Sequence, residues 1–161
     1  MKTDMLTPES LARIDREIAK YPVDQKQSAV MSALRIAQDE LGWLSTETME
    51  FVAAYLGMPS IAVHEVASFY NMYELKPVGK YKITVCTNLS CTLMGAGGVV
   101  DHLRKKLAID FGETSPDKRF TLKEGECMGA CGEGPLFLVN NRRMYGKLST
   151  ETVDQILAEL E

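Results

Sequence analysis

The chain has 161 residues, 45% of them hydrophobic and 25% charged, a balance that supports one substantial core or two small ones. Its formal net charge of -4 and pI of about 5.3 leave no broad basic face with which to bind nucleic acid or anionic lipid. The N-terminus, Met1-Lys2-Thr3-Asp4, turns polar and helical at once and shows no secretory leader pattern.

From Thr7 to about Tyr73 the apolar residues recur with a helical period. Thr7 is placed to cap a first helix, with Pro8 at its first position and Leu6 able to pack on Leu11 as a hydrophobic staple. Leu11, Ile14 and Ile18 form its buried stripe, which ends before Pro22. A second helix is predicted from Ser28 to Leu41, burying Val30, Leu34, Ala37 and Leu41 and stopping at Gly42. A third runs from Ser45, burying Met49, Val52, Ala53 and Leu56 before Gly57, and a shorter fourth from Ser60 to about Tyr70. Short connections join these helices, as in a small bundle. Phe69, Tyr70 and Tyr73 are read as core, with a partner surface as the alternative.

Pro77 and Gly79 then break the helical run, so a helical domain is predicted over residues 1–76 and a second domain over 77–161. Tyr81, Ile83 and Val85 alternate with polar residues, which predicts a strand leading into Cys86. Gly95 to Gly98 open a helix that buries Val99, Leu103 and Leu107, with Arg104, Lys105 and Lys106 in its last turns, where positive charge suits the dipole. Phe120 and Leu122 mark a second strand, Leu136 to Val139 a third, and Met144-Tyr145 a fourth after a turn at Asn140-Asn141. A final helix carries Val153, Ile156, Leu157 and Leu160. The pentapeptide Leu-Ser-Thr-Glu-Thr occurs at residues 44–48 and again at 148–152, each time with Ser as the cap; it is one helix start used twice, not an internal repeat. Strand, helix, strand, hairpin and helix make a small α/β or α+β layer fold. The segment Ile83–Val100 carries no formal charge and has the length of a membrane span, but its Thr, Cys, Asn, Ser and Gly residues argue against one. A cytoplasmic location follows as the expectation, and thiols stay reduced there.

The chemistry lies in four cysteines, spaced Cys86-x4-Cys91 and Cys127-x3-Cys131. Each pair is placed in a loop just after a predicted strand, so neighbouring strand ends would bring the pairs together. A [2Fe–2S] cluster takes four thiolates, two per iron, and the chain supplies that number with none left over. Gly95, Gly97 and Gly98 follow the first pair, and Gly129, Gly132 and Gly134 surround the second. They are read as packing residues that let backbone N–H groups reach sulfur.

Other uses of four cysteines compete with this one. A structural zinc stays open, although zinc knuckles use two-residue spacers. Two disulfides would need an oxidising compartment, and a thioredoxin-type dithiol would need Cys-x-x-Cys. His64 and His102 are the only histidines; they do not flank the cysteines as a Rieske-type site requires, and neither is assigned as a ligand. Gly95-Ala96-Gly97-Gly98 lacks the full dinucleotide-binding spacing, so no nucleotide or flavin site is expected on the chain itself.

The segments Val85-Cys86-Thr87-Asn88-Leu89-Ser90-Cys91-Thr92-Leu93-Met94-Gly95 and Glu126-Cys127-Met128-Gly129-Ala130-Cys131, with Pro135 and Asn140, resemble the thioredoxin-like [2Fe–2S] ferredoxin subunit of respiratory NADH:quinone oxidoreductase, the E-subunit of bacterial complex I. Tyr21-Pro22, Gln27-Ser28-Ala29, Gln38 with Leu41-Gly42, and Val66-Ala67-Ser68-Phe69-Tyr70 extend the resemblance through the helical region. It implies a helical N-terminal bundle followed by a thioredoxin-like domain, with Cys86, Cys91, Cys127 and Cys131 as ligands of one [2Fe–2S] cluster. It also implies an NADH- and FMN-binding flavoprotein subunit as partner, no complete active site on this chain, and a cytoplasmic position peripheral to the inner membrane. Similar subunits serve NAD-linked hydrogenases and formate dehydrogenases. Two departures stand out: Met128 where Leu is common, and Gly134 before Pro135 where Ala is usual. A zinc-stabilised structural subunit is the alternative of another class.

Overall fold

In the computed structural model, which describes residues 5–160, the chain divides into two compact units, Met1–Pro77 and Val78–Glu161. The polar, helical run read at Met1–Asp4 lies outside the described residues.

The first unit is built on four helices: α1 (Pro8–Ile18), α2 (Val30–Leu41), α3 (Thr46–Leu56) and α4 (Ser60–Phe69). Their ends are chemically specified. The Thr7 hydroxyl oxygen accepts the Ser10 N–H at 3.3 Å, and the Thr7 N–H and hydroxyl donate to the Glu40 carboxylate at 2.9 and 3.0 Å. These bonds cap α1 and tie its start to the end of α2. Ser45 caps α3 by accepting the Thr48 N–H at 3.2 Å. Gly42 and Gly57 close α2 and α3 in the left-handed region, with φ of 83° and 68°. Ile14, Leu34, Leu44, Val52, Leu56 and Val63 are fully buried at the centre.

Three expectations change here. Residues Val23–Ala29 form a 3₁₀ stretch, so α2 begins at Val30 instead of Ser28; Gln25 leaves helical geometry there, with φ -117° and ψ 24°. Leu41 is 38% exposed: it lies on the buried stripe by period but is the last residue of α2, next to the cap at Gly42. Of the three aromatics, only Tyr73 is core. Its hydroxyl donates to the Met31 carbonyl at 2.8 Å, whereas Phe69 is 79% exposed and meets Tyr70 edge-on at 5.0 Å.

The second unit is a four-stranded sheet in the order β2-β1-β3-β4, from β1 (Tyr81–Cys86), β2 (Phe120–Gly125), β3 (Phe137–Val139) and β4 (Arg143–Tyr145). β1 and β2 are parallel, and the β1–α5–α6–β2 crossover joins them through α5 (Leu89–Leu93) and α6 (Ala96–Leu107). β3 runs antiparallel to β1 and pairs with β4 as a hairpin. Asn140 and Asn141 make the turn with φ of 52° and 54°, a conformation asparagine tolerates. Asn140 also locks the hairpin to β1, accepting the Lys82 N–H at 2.7 Å and donating to the Lys80 carbonyl at 3.0 Å.

Ile83, Val85, Phe120, Leu122, Phe137 and Val139 form one core with Val99, Val100 and Leu103 of α6 and Val153, Ile156 and Leu157 of α7 (Thr150–Glu159). Ser149 opens α7 with a reciprocal capping box: it accepts the Thr152 N–H at 3.2 Å and donates its own N–H to the Thr152 hydroxyl at 2.8 Å. Leu107 and Leu160 are only half-buried, and the third strand starts at Phe137, one residue later than read. The helix α5 was not anticipated: five residues are too few to show a periodic stripe. No helix among the described residues is long and apolar enough to cross a membrane.

Candidate metal centre

The parallel register of β1 and β2 sets Cys86 opposite Gly125, so both chains leave the sheet side by side at its C-terminal end. One continues into α5 with Cys91; the other turns through Cys127 to Cys131, where a single 3₁₀ turn (Cys131–Glu133) begins. The two exits are tied together by side chains. The Thr87 hydroxyl donates to the Glu124 carboxylate at 2.8 Å, and the Asn88 amide donates to the Glu126 carboxylate at 3.1 Å. The Cys86 N–H donates to the Leu136 carbonyl at 3.1 Å, which fixes the segment beyond the second pair against the first. These ties were not read from the sequence; the polar residues flanking each cysteine pair were their only signal.

The four cysteines are all free, but their surroundings differ. Cys86 and Cys91 are buried and pack with Ala96 and Leu136, while Met128 and Ala130 lie against that group; Cys127 and Cys131 are exposed. The Cys91 thiol is pushed up to about 11, first by burial, then by its hydrogen bond with Cys86 and the charges Cys86 and Cys131 can carry. A backbone hydrogen bond with Leu136 pulls the other way. Cys91 thus feels a cysteine from each pair. The Cys127 sulfur accepts the Gly129 N–H at 3.4 Å, and Gly129 holds φ 72°, where glycine is at home.

The structure brings the pairs into one neighbourhood without gathering them: among the described residues, no three His, Cys, Asp or Glu side chains converge closely enough to hold a metal ion. Neutral thiols pack as small apolar groups, and a ligand set forms only as they deprotonate onto metal. The chemistry of the candidate donors fits an iron–sulfur group, because all four are cysteine sulfurs and a soft thiolate set suits iron–sulfur or zinc.

Two readings need correction. Cys91 lies on α5 and not in a loop. The glycine reading holds at Gly95, which has a positive φ of 97°, and at Gly129, but not at Gly97 and Gly98, where a Cβ would meet no protein atom within 4 Å. Beside the cysteine pairs, close approaches occur at Gly125, where a Cβ would lie 2.6 Å from Thr84 Cγ2, and at Gly134. His102 pairs with Asp154 at 2.9 Å, and His64 sits on α4 in the first unit.

A mixed sheet whose parallel pair ends in two cysteine segments defines the class, a thioredoxin-like scaffold for a thiolate-ligated redox group. The chain belongs to the thioredoxin-like [2Fe–2S] ferredoxin family, whose model matches residues 14–161, and its fold is accordingly a [2Fe–2S] cluster-binding one. It is 45% identical to the NADH-quinone oxidoreductase E-subunit of Rickettsia prowazekii (strain Madrid E) over 88% of this chain and 80% of that one. It is 36% identical to the mitochondrial NADH dehydrogenase [ubiquinone] flavoprotein 2 of Dictyostelium discoideum, over 96% of this chain and 63% of that one. The fold is shared with an NAD+-reducing [NiFe]-hydrogenase in the H2-reduced state, with TM-score 0.71 and 21% identity. That match covers 81% of this chain but 22% of the hydrogenase chain.

Proposed function

We propose that this chain is the one-electron carrier of an NADH:quinone oxidoreductase, holding a [2Fe–2S] cluster on Cys86, Cys91, Cys127 and Cys131. The observation that carries the reading is the Cys86–Gly125 register, which places both cysteine segments at one sheet end, where Thr87–Glu124 and Asn88–Glu126 tie them. When bound, the cluster supplies a site that takes up and releases single electrons. Cys86 and Cys91 would hold it from the buried side, Cys127 and Cys131 from the exposed side. The Gly129 N–H, already directed at the Cys127 sulfur, would offset thiolate charge, and Leu136 would keep water from the buried pair.

The partner in this reading is a flavoprotein subunit that binds NADH and FMN. A flavin accepts a hydride as an electron pair, and one-electron chemistry beyond it needs a carrier such as this chain. Residues 77–161 form the carrier domain and residues 1–76 a helical domain joined to it, the whole lying on the cytoplasmic side, peripheral to the inner membrane. Hydride oxidation belongs to the partner, so this chain contributes to an enzyme without a complete active site of its own. The fold shared with the NAD+-reducing hydrogenase supports one second reading, the corresponding place in an NAD-linked hydrogenase; the formate dehydrogenase counterpart has no such observation behind it.

Purification of the native assembly through a tag on this chain tests the proposal. An FMN-containing subunit is expected to co-purify, and NADH should elicit a reduced iron–sulfur EPR signal that disappears with Cys127→Ala. An assembly without flavin, or one whose NADH-reduced spectrum is untouched by that substitution, would contradict it. The quinone-reductase or hydrogenase subunits found beside it separate the two readings.

A further inference from the structure

Gly134 follows the 3₁₀ turn at Cys131–Glu133 and has φ -64° and ψ 156°, a conformation open to any residue. Its missing side chain therefore answers to space and not to the backbone. A Cβ at this position would lie 3.0 Å from Met94 Sδ and 3.3 Å from Cys91 Sγ, so the two sulfurs border one small notch. Met94 immediately follows α5, and its N–H donates to the carbonyls of Ser90 and Cys91, each at 3.2 Å. The short helix that carries Cys91 thus also fixes where Met94 starts. Met94 is 48% exposed while Cys91 is 1% exposed, so Met94 stands with one side to solvent and its sulfur turned into the notch. A flexible, polarizable thioether suits such a gap.

We propose that Met94, seated in the notch left by Gly134, is a positioning residue that covers the Cys91 sulfur and sets how much water reaches it. The cover stands on the geometry alone. Its redox consequence rests on the reading of Cys91 as a cluster ligand: the apolar shell around a metal site controls solvent access and through it the reduction potential. Reduction adds a negative charge, which water stabilises, so opening the cover raises the potential.

The cover is tested by iodoacetamide labelling of the full-length, metal-free chain, with exposed Cys131 as the internal reference. Met94→Ala is expected to raise the Cys91-to-Cys131 labelling ratio about tenfold. In Gly134→Ala the new methyl displaces the flexible end of Met94 and fills the notch itself, so the ratio stays near that of the wild type. The double variant should recover most of the protection lost in Met94→Ala, a rescue that general loosening of the fold would not produce. An unchanged ratio in Met94→Ala, or a double variant labelled as fast as Met94→Ala alone, would overturn the proposal.

Should the metal-free chain lose its sheet by circular dichroism, the same four proteins are compared when cluster-loaded, by the rate at which EDTA strips iron. The expected order and the overturning result are the same. In an EPR-monitored titration the potential should rise in Met94→Ala and return in the double variant; equal potentials would remove the redox consequence. Failure of the wild type to take up any cluster would count against the ligand reading, and the labelling ratio would still decide the cover.

Discussion

The two units are stabilised by different means at the places that matter. The helical unit closes on an apolar cluster that runs from Leu6 to Tyr73, with Thr7, Ser45, Gly42 and Gly57 fixing its helix ends. The sheet unit has a comparable cluster between its sheet and α6 and α7, but its cysteine end is another matter: the buried residues there are Cys86, Cys91, Ala96 and Leu136. Hydrophobic burial alone supplies little at that end. A bound metal group would contribute where the core does not, because metal-binding free energy becomes folding free energy when the ligands are organised only in the folded state. The helical unit should be indifferent to metal and the cysteine end dependent on it.

The largest way to break this contrast is at a proposed ligand. Cys127→Ala is expected to lose nearly all iron and acid-labile sulfide and to lower the unfolding midpoint of the sheet unit, while hydrogen exchange in α1–α4 stays unchanged. Exchange that accelerates equally in both units would show that the metal end is not a separate stability element.

Core truncation sharpens the contrast from the other direction. Leu34→Ala and Leu122→Ala each empty a fully buried site and should cost about 2–5 kcal/mol in denaturant unfolding. The first is expected to leave the iron–sulfur spectrum intact. The second lies on β2 two residues before Glu124, whose carboxylate ties the two strand exits, and should also speed cluster loss.

The repeated pentapeptide offers a smaller comparison. Ser45→Ala and Ser149→Ala should each cost about 1 kcal/mol, with the greater loss at Ser45, whose hydroxyl also meets the Thr48 hydroxyl at 3.1 Å, whereas the Ser149 N–H keeps its bond to Thr152 when the serine side chain is removed. Equal losses by thermal melting would remove the distinction between the two starts.

The smallest effect is a pH dependence confined to the helical unit. Burial works against the Glu40 carboxylate, but hydrogen bonds from Ser10 and Thr7 and the Arg13 charge hold its pKa below the ordinary 4.5. The folded state thus favours the ionised form, and this contribution is present above the ordinary value and fades as pH falls through the depressed one. Melting of Glu40→Gln should therefore differ from the wild type at pH 7 and converge with it in acid.

Much of this organisation was legible in the sequence where local chemistry is decisive. Thr7, Ser45 and Ser149 announce helix starts, Gly42 and Gly57 announce stops, and the alternation through Tyr81–Val85 marks the strand that delivers Cys86. Legibility failed where a tertiary neighbour sets the outcome. Leu89 and Leu93 of α5 stand at helical spacing, but one such pair in a five-residue helix is too short a signal and both are exposed, so the helix that carries Cys91 was not legible. The split into buried Cys86 and Cys91 and exposed Cys127 and Cys131 depends on Leu136 crossing beside β1, which spacing does not encode. Glycine roles were legible only in kind: the sequence marks Gly134 as packing near the cysteines, but its neighbours Met94 and Cys91 emerge only from the structure.

The most direct measurement is the metal, sulfide and EPR content of the full chain purified without air and reduced with dithionite. Iron and acid-labile sulfide in the proportions of one [2Fe–2S] cluster per chain, with an EPR signal abolished by Cys127→Ala, are expected. A colourless protein holding stoichiometric zinc and no sulfide would contradict the one-electron carrier and leave a structural subunit in its place.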